Sequence, residues 1–191
     1  MNRKEIIDLL ENTNANDITL EDCDKIIHLL KEMKEKTNFE KIYEFNTAFG
    51  VKSNNTPQKD LFDTDKKLVE YRLSLVNEEV QELNDSVRNK DFIETVDALT
   101  DILYVVYGFF SSIGVDADKA FELVHKSNMS KLCVSEEEAK ETVKSYESDD
   151  RYDSPAYRLS DDGKHYVVFN KNTSKILKSI NYNPVSFDSI L

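Results

Sequence analysis

The chain has 191 residues, 39% hydrophobic and 32% charged, with 37 acids against 25 Lys and Arg and a formal net charge of −12. A field of that sign repels polyanions and excludes nucleic-acid binding through phosphates, while the longest apolar run is broken by Asp101, which argues against a bilayer span. Two separated cysteines, Cys23 and Cys133, and the charged start Met1-Asn2-Arg3-Lys4-Glu5 predict free thiols and a cytoplasmic setting.

In chain order, residues 1–37 read as an N-terminal helical extension, with Thr19 as an N-cap before Leu20-Glu21-Asp22. A helix from Phe39 to Phe49 is expected to end at Gly50, followed by a loop from Val51 to Thr64. Two long helices come next, from about Asp65 to Asn89 and from about Asp91 to Ile113. Their tight link near Asn89-Lys90 makes them antiparallel neighbours. Gly114 closes the second, and Asp116 caps a third that runs through Phe121, Val124, Asn128 and Leu132. These elements make a four-helix core over residues 38–133. Residues 134–191 read as a further helix, a polar break at Ser148-Asp149-Asp150-Arg151 and a small antiparallel meander whose segments centre on Tyr157-Arg158-Leu159, His165 to Phe169 and Lys175 to Ile180. The fold class is therefore mainly α, a four-helix bundle with an N-terminal helical extension and a C-terminal β meander.

The chemistry lies in the placement of acids. On the first long helix Leu73, Val76, Val80, Leu83 and Val87 mark an apolar face, with Leu68 and Leu75 widening it. Glu79 falls inside that arc, Glu82 at its edge and Glu78 further round. On the second, Glu94, Asp97 and Asp101 share one stripe at i, i+3 and i+7 of a helix that is apolar almost all round, as expected of one covered by others. Burying an unpaired carboxylate costs at least several kcal/mol. Acids collected this way call for hard divalent cations, Mg²⁺ or Mn²⁺, which take oxygen ligands and keep positions open for water and phosphate. Pairing with Lys or Arg, or plain solvation, is the alternative, and Arg72 shares the acidic face as one such partner for Glu79.

Three stretches carry a resemblance: Asn77-Glu78-Glu79-Val80-Gln81-Glu82-Leu83, then Glu94 to Gly108, then His125-Lys126-Ser127-Asn128-Met129-Ser130-Lys131-Leu132. Together they resemble the all-α nucleoside triphosphate pyrophosphohydrolases, a superfamily that includes the MazG proteins, dimeric dUTPases and phosphoribosyl-ATP pyrophosphohydrolase, and most of all its phosphoribosyl-ATP pyrophosphohydrolase-like branch. The resemblance spans roughly Phe39 to Leu132 and implies a Glu-x-x-Glu, Glu-x-x-Asp magnesium site. Glu79-x-x-Glu82 fits the first half, with Glu78 as an additional acid. For the second half Glu94-x-x-Asp97 matches by spacing and Asp101 by context, with Ala98 where a Glu is expected.

The implied reaction is cleavage of a (d)NTP to (d)NMP and pyrophosphate by water activated at the metal, in house-cleaning or dUTP control. Glu79, Glu82, Asp97 and Asp101 are the expected ligands, with Glu78 and Glu94 nearby, and Glu78 or Glu79 handles the attacking water. Asn128 and Lys131 are expected to contact nucleotide, and Asn46 and Phe49, with Phe45, to wall the base. A homodimer or homotetramer is implied. The competing readings are an idle bundle that docks a partner and a phosphoribosyl-ATP hydrolase of histidine biosynthesis.

Overall fold

Thr37 and Glu40 open the first core helix by capping each other: the Glu40 N–H donates to Thr37 Oγ1 at 3.3 Å and the Thr37 N–H to Glu40 Oε2 at 2.7 Å. The structure, a computed structural model, describes residues 19–33, 35–147 and 153–191. Its helices are α1 (Leu20–Met33), α2 (Asn38–Ala48), the single turn α3 (Leu61–Thr64), α4 (Lys66–Asn89), α5 (Phe92–Ile113), α6 (Ala117–Met129) and α7 (Glu136–Glu147). Two strands follow, β1 (Pro155–Leu159) and β2 (Tyr166–Asn170). Most of the expected first part of the extension, and the polar break around Ser148, lie outside the described residues.

The long hairpin of α4 and α5 is built from local signals. Asp65 caps α4 through the Leu68 N–H at 3.2 Å, and Lys90 turns the chain in the left-handed region at φ 56°. Asp91 Oδ1 then accepts the N–H groups of Ile93 and Glu94, each at 3.1 Å, and starts α5. Gly114 ends α5 at φ +73°, where an added Cβ would stand 1.9 Å from the Thr56 carbonyl oxygen. Both the left-handed backbone and the loop pressed against it require glycine. Gly114→Ala is expected to cost about 2–4 kcal/mol in chemical denaturation, and a cost within about 0.5 kcal/mol would show that the loop packs elsewhere.

Asp118 joins three helices. Its carboxylate accepts the Phe39 N–H of α2 at 3.0 Å and the Tyr107 hydroxyl of α5 at 2.7 Å from its own position on α6. Burial pushes the Asp118 carboxyl up, but hydrogen bonds from Thr37, Tyr107 and Phe39 prevail and hold it below its ordinary value.

The C-terminal unit has its own core, in which Cys133, Ala139, Val168 and Leu177 pack with Val143, Tyr146, Tyr157 and Tyr166. Its sheet has two strands, paired antiparallel from Pro155↔Asn170 to Leu159↔Tyr166. The expected third segment, Lys175 to Ile180, is not a strand. It contributes one bridge, Phe169↔Ile176, and then leaves the sheet because Ser179 donates to Glu138 and the Ile180 N–H donates to Thr142 Oγ1 at 3.2 Å. Beyond it the tail binds α6: Ser127 Oγ donates to the Asn183 carbonyl at 2.9 Å, and the Asn183 N–H to Ser130 Oγ at 2.9 Å. Phe187, Ile190 and Leu191 then close one side of an apolar cavity of about 450 Å³ against α5 and α6.

Glu138 anchors this unit from a buried position, accepting Ser179 Oγ and the Val134 N–H. Burial raises its carboxyl, yet hydrogen bonds from Ser179, Val134 and Asn181 outweigh that and leave it lowered from its ordinary 4.5. A carboxyl lowered by folding contributes stability that is complete above the ordinary value and is lost as pH falls through the folded one. Thermal melts between about pH 3 and 6 should therefore show an acid-side loss of C-terminal stability that Glu138→Gln removes. An unchanged acid limb in that variant would assign the loss to other groups.

Candidate active site

The antiparallel seam between α4 and α5 carries polar groups at three levels. Near the turn the Thr95 hydroxyl donates to Ser86 Oγ at 3.2 Å, and at the open end Arg72 Nε donates to Ser112 Oγ at 2.8 Å. Midway stand Glu79 on α4 and Asp101 on α5, both half-buried. Desolvation pushes the Glu79 carboxyl above its ordinary value, and the negative charges of Glu82, Asp101, Glu78 and Asp97 push it further the same way. The fold thus brings four of the other five expected acids close enough to act on the Glu79 carboxyl. Among the described residues no three of them close into a ready-made cage for an ion.

The sixth, Glu94, stands apart from the charges acting on Glu79. With Glu82, Asp85 and Asp91 it borders a separate recess of about 390 Å³ beside the α4–α5 turn. The α5 acids whose charges act on Glu79 are Asp101 and Asp97. Ala98 is buried at 3% exposure against the hairpin, so a larger acid at that position would have to displace packed side chains.

Several expectations are corrected. Arg72 does not pair with Glu79, because it lies seven residues earlier and its head is turned to Ser112. Asn46 is 2% exposed, and its amide donates to Ser53 at 3.0 Å and Ser111 at 3.2 Å, so it ties the following loop to α5 rather than facing a ligand. The apolar stripe of α4 is not covered either. Leu73, Val80 and Val87 are exposed, as are Leu99 and Leu103 on α5, because among the described residues no element covers this side of the hairpin. By length and composition α5 is also apolar enough to cross a membrane, but Glu94, Asp97 and Asp101 run along it.

Phe49 stacks on Phe45 with ring centroids 4.4 Å apart, and Phe45 meets Tyr104 edge-on at 5.5 Å. Tyr104 lies three residues after Asp101 and seven after Asp97, on their stripe of the helix. It also lines a cavity of about 150 Å³ with Lys41, Asn38, Thr100 and Tyr107. Sequence reasoning missed Tyr104 and Lys41. The i+3 and i+7 offsets from the acids flag Tyr104, whereas only tertiary packing brings Lys41 to α5. Lys131 Nζ donates to Asn128 Oδ1 at 2.7 Å, so these two side chains form one unit at the end of α6.

Comparison with known proteins agrees with this geometry. Residues 42–128 match the family model for phosphoribosyl-ATP pyrophosphohydrolase. An uncharacterized protein of Acanthamoeba polyphaga mimivirus is 29% identical over 243 aligned residues, which cover 83% of this chain and 97% of that protein. The matched segment contains α4, α5 and all the gathered acids. Residues 42–128 are thus similar to the phosphoribosyl-ATP pyrophosphohydrolase family, the branch of the all-α nucleoside triphosphate pyrophosphohydrolases that the sequence motifs resemble.

Proposed function

We propose that the chain is a Mg²⁺-dependent nucleotide pyrophosphohydrolase that converts a nucleoside triphosphate to the monophosphate and pyrophosphate. The match of residues 42–128 to the phosphoribosyl-ATP pyrophosphohydrolase family model supports pyrophosphohydrolase-type chemistry at the superfamily level. The observation that carries the finer reading is Glu79, whose carboxyl is pushed up by burial and by four like charges on two helices. Oxygen donors in that number, with no neutralising base among the groups acting on Glu79, fit a hard divalent cation.

Glu79, Glu82, Asp97 and Asp101 would hold Mg²⁺ or Mn²⁺, with Glu78 beside them and Glu94 outside the set. The bound ion supplies Lewis acidity toward phosphate oxygens and acidifies a water ligand. Glu78, exposed next to the cluster, would orient that water and accept its proton. Phe45, Phe49 and Tyr104 offer a stacking wall for the base, and the Asn128–Lys131 unit offers a cation and an amide to the nucleotide. A cytoplasmic setting, where nucleotides and magnesium coexist, belongs to the same reading.

A second copy belongs to it as well. Ile93 and Leu103 are 77% and 61% exposed on α5, and Val80 and Leu73 are exposed on α4. An apolar face of this length interrupted by acids suits another acidic hairpin of the same kind better than lipid. The partner hairpin would complete a four-helix bundle around the carboxylates.

The test is a panel of nucleoside triphosphates and phosphoribosyl-ATP incubated with Mg²⁺ in ¹⁸O-labelled water. Attack at the α-phosphorus predicts label in the monophosphate and unlabelled pyrophosphate. Release of inorganic phosphate, or no hydrolysis of any nucleotide, would contradict the proposal.

A further inference from the structure

Arg72 occupies the stripe of α4 that carries Glu79, about 10 Å earlier along the helix, and is 6% exposed. Its Nε donates to Ser112 Oγ at 2.8 Å, and Ser112 in turn donates to the Gly108 carbonyl at 3.1 Å. Gly108 sits in the interior of α5, a destabilising place for glycine. The reason is local: a Cβ there would stand 3.1 Å from Arg72 Nη1, so the missing side chain forms the notch that admits the guanidinium. Arg72 Nη2 is buried without a protein acceptor among the described residues, although the chain has 37 acids.

A guanidinium held like this is not a stabilising choice, since an apolar side chain of similar volume packs as well or better. What a planar fork in a glycine notch adds is orientation, which an apolar seam leaves loosely defined. Ser86 and Thr95 restrain the hairpin near its turn, and Arg72 restrains it at the open end. Glu79 and Asp101 lie between the two restraints.

We propose that Arg72 is a positioning residue: locked in the Gly108 notch, it sets the rotation and spacing of α5 against α4 and so holds Asp97 and Asp101 toward Glu79. This inference rests on the metal reading of that cluster. Arg72 touches neither the ion nor the nucleotide in it.

The test uses the full chain with Arg72→Met, Arg72→Lys and Gly108→Ala. Thermal midpoint and Mn²⁺ affinity by calorimetry are read for each. Nitroxide distances between labels at Ser74 and Thr100 are read in spin-diluted, metal-free protein carrying Cys23→Ser; Cys133 is buried. Arg72→Met should keep or raise the midpoint while weakening Mn²⁺ by about 10-fold or more and broadening the distance distribution. Arg72→Lys, lacking the fork, should not restore either property, and Gly108→Ala, whose Cβ would stand 3.1 Å from Nη1, should displace the guanidinium slightly and give both losses in weaker form. Wild-type Mn²⁺ affinity with an unchanged distribution in Arg72→Met would overturn the assignment. If the unsubstituted protein binds no Mn²⁺, the metal reading falls, and the label distribution alone decides whether Arg72 sets the hairpin.

Discussion

Glu79→Gln should lower nucleotide turnover by about 10³-fold or more while raising the thermal midpoint of the metal-free protein by a few degrees. The two effects have one cause. Burial and the charges of Glu82, Asp101, Glu78 and Asp97 all disfavour ionised Glu79, so its folded value lies above the ordinary one. For a carboxyl shifted in that direction, stability is greatest below the ordinary value and is lost as pH rises through the folded value. At neutral pH the metal-free protein therefore carries an ionised Glu79 at a cost, and an amide removes it. Added Mg²⁺ should reverse the order by stabilising the unsubstituted protein and leaving the variant almost unchanged. A variant that melts lower than the parent without metal would show that Glu79 is held by favourable contacts instead of strained by like charge.

Leu103→Glu should convert an assembled protein to monomers and reduce turnover by about 10-fold or more. Leu103 is 61% exposed on the face of α5 and borders cavities on both sides of that helix. Truncating or charging a central apolar anchor of a subunit interface commonly costs about 2 kcal/mol or more, enough to dissociate a dimer at micromolar concentration. Light scattering reads the mass directly. An unsubstituted chain that is already monomeric, or a fully active Leu103→Glu monomer, would contradict a bundle completed by a second copy.

The helices were legible because their ends carry local signals: Gly114 and Asp116 act as read, and Thr37 with Glu40, Asp65 and Asp91 supply caps at the other starts. The acid cluster was legible for the same reason, since Glu79, Glu82, Asp97 and Asp101 are fixed by helical spacing plus one short turn. Properties that depend on distant partners were not. The Arg72 head could be assigned only after Ser112 and Gly108 were seen beside it, and Asn46 only after Ser111 was. Likewise Lys175 to Ile180 alternates like a strand, yet Glu138 and Thr142 draw its end away from the sheet. The apolar stripe of α4 was read as covered because periodicity reports which face seeks burial, not whether the same chain supplies the cover.

The central claim, that carboxylates from α4 and α5 converge to hold a divalent ion, is tested most directly by Mn²⁺ titration followed by electron paramagnetic resonance. The account predicts saturable loss of the free-ion signal in the unsubstituted protein, competition by Mg²⁺, and no saturable loss in a Glu79→Gln, Asp101→Asn double variant. Equal binding by both proteins, or by neither, would contradict it.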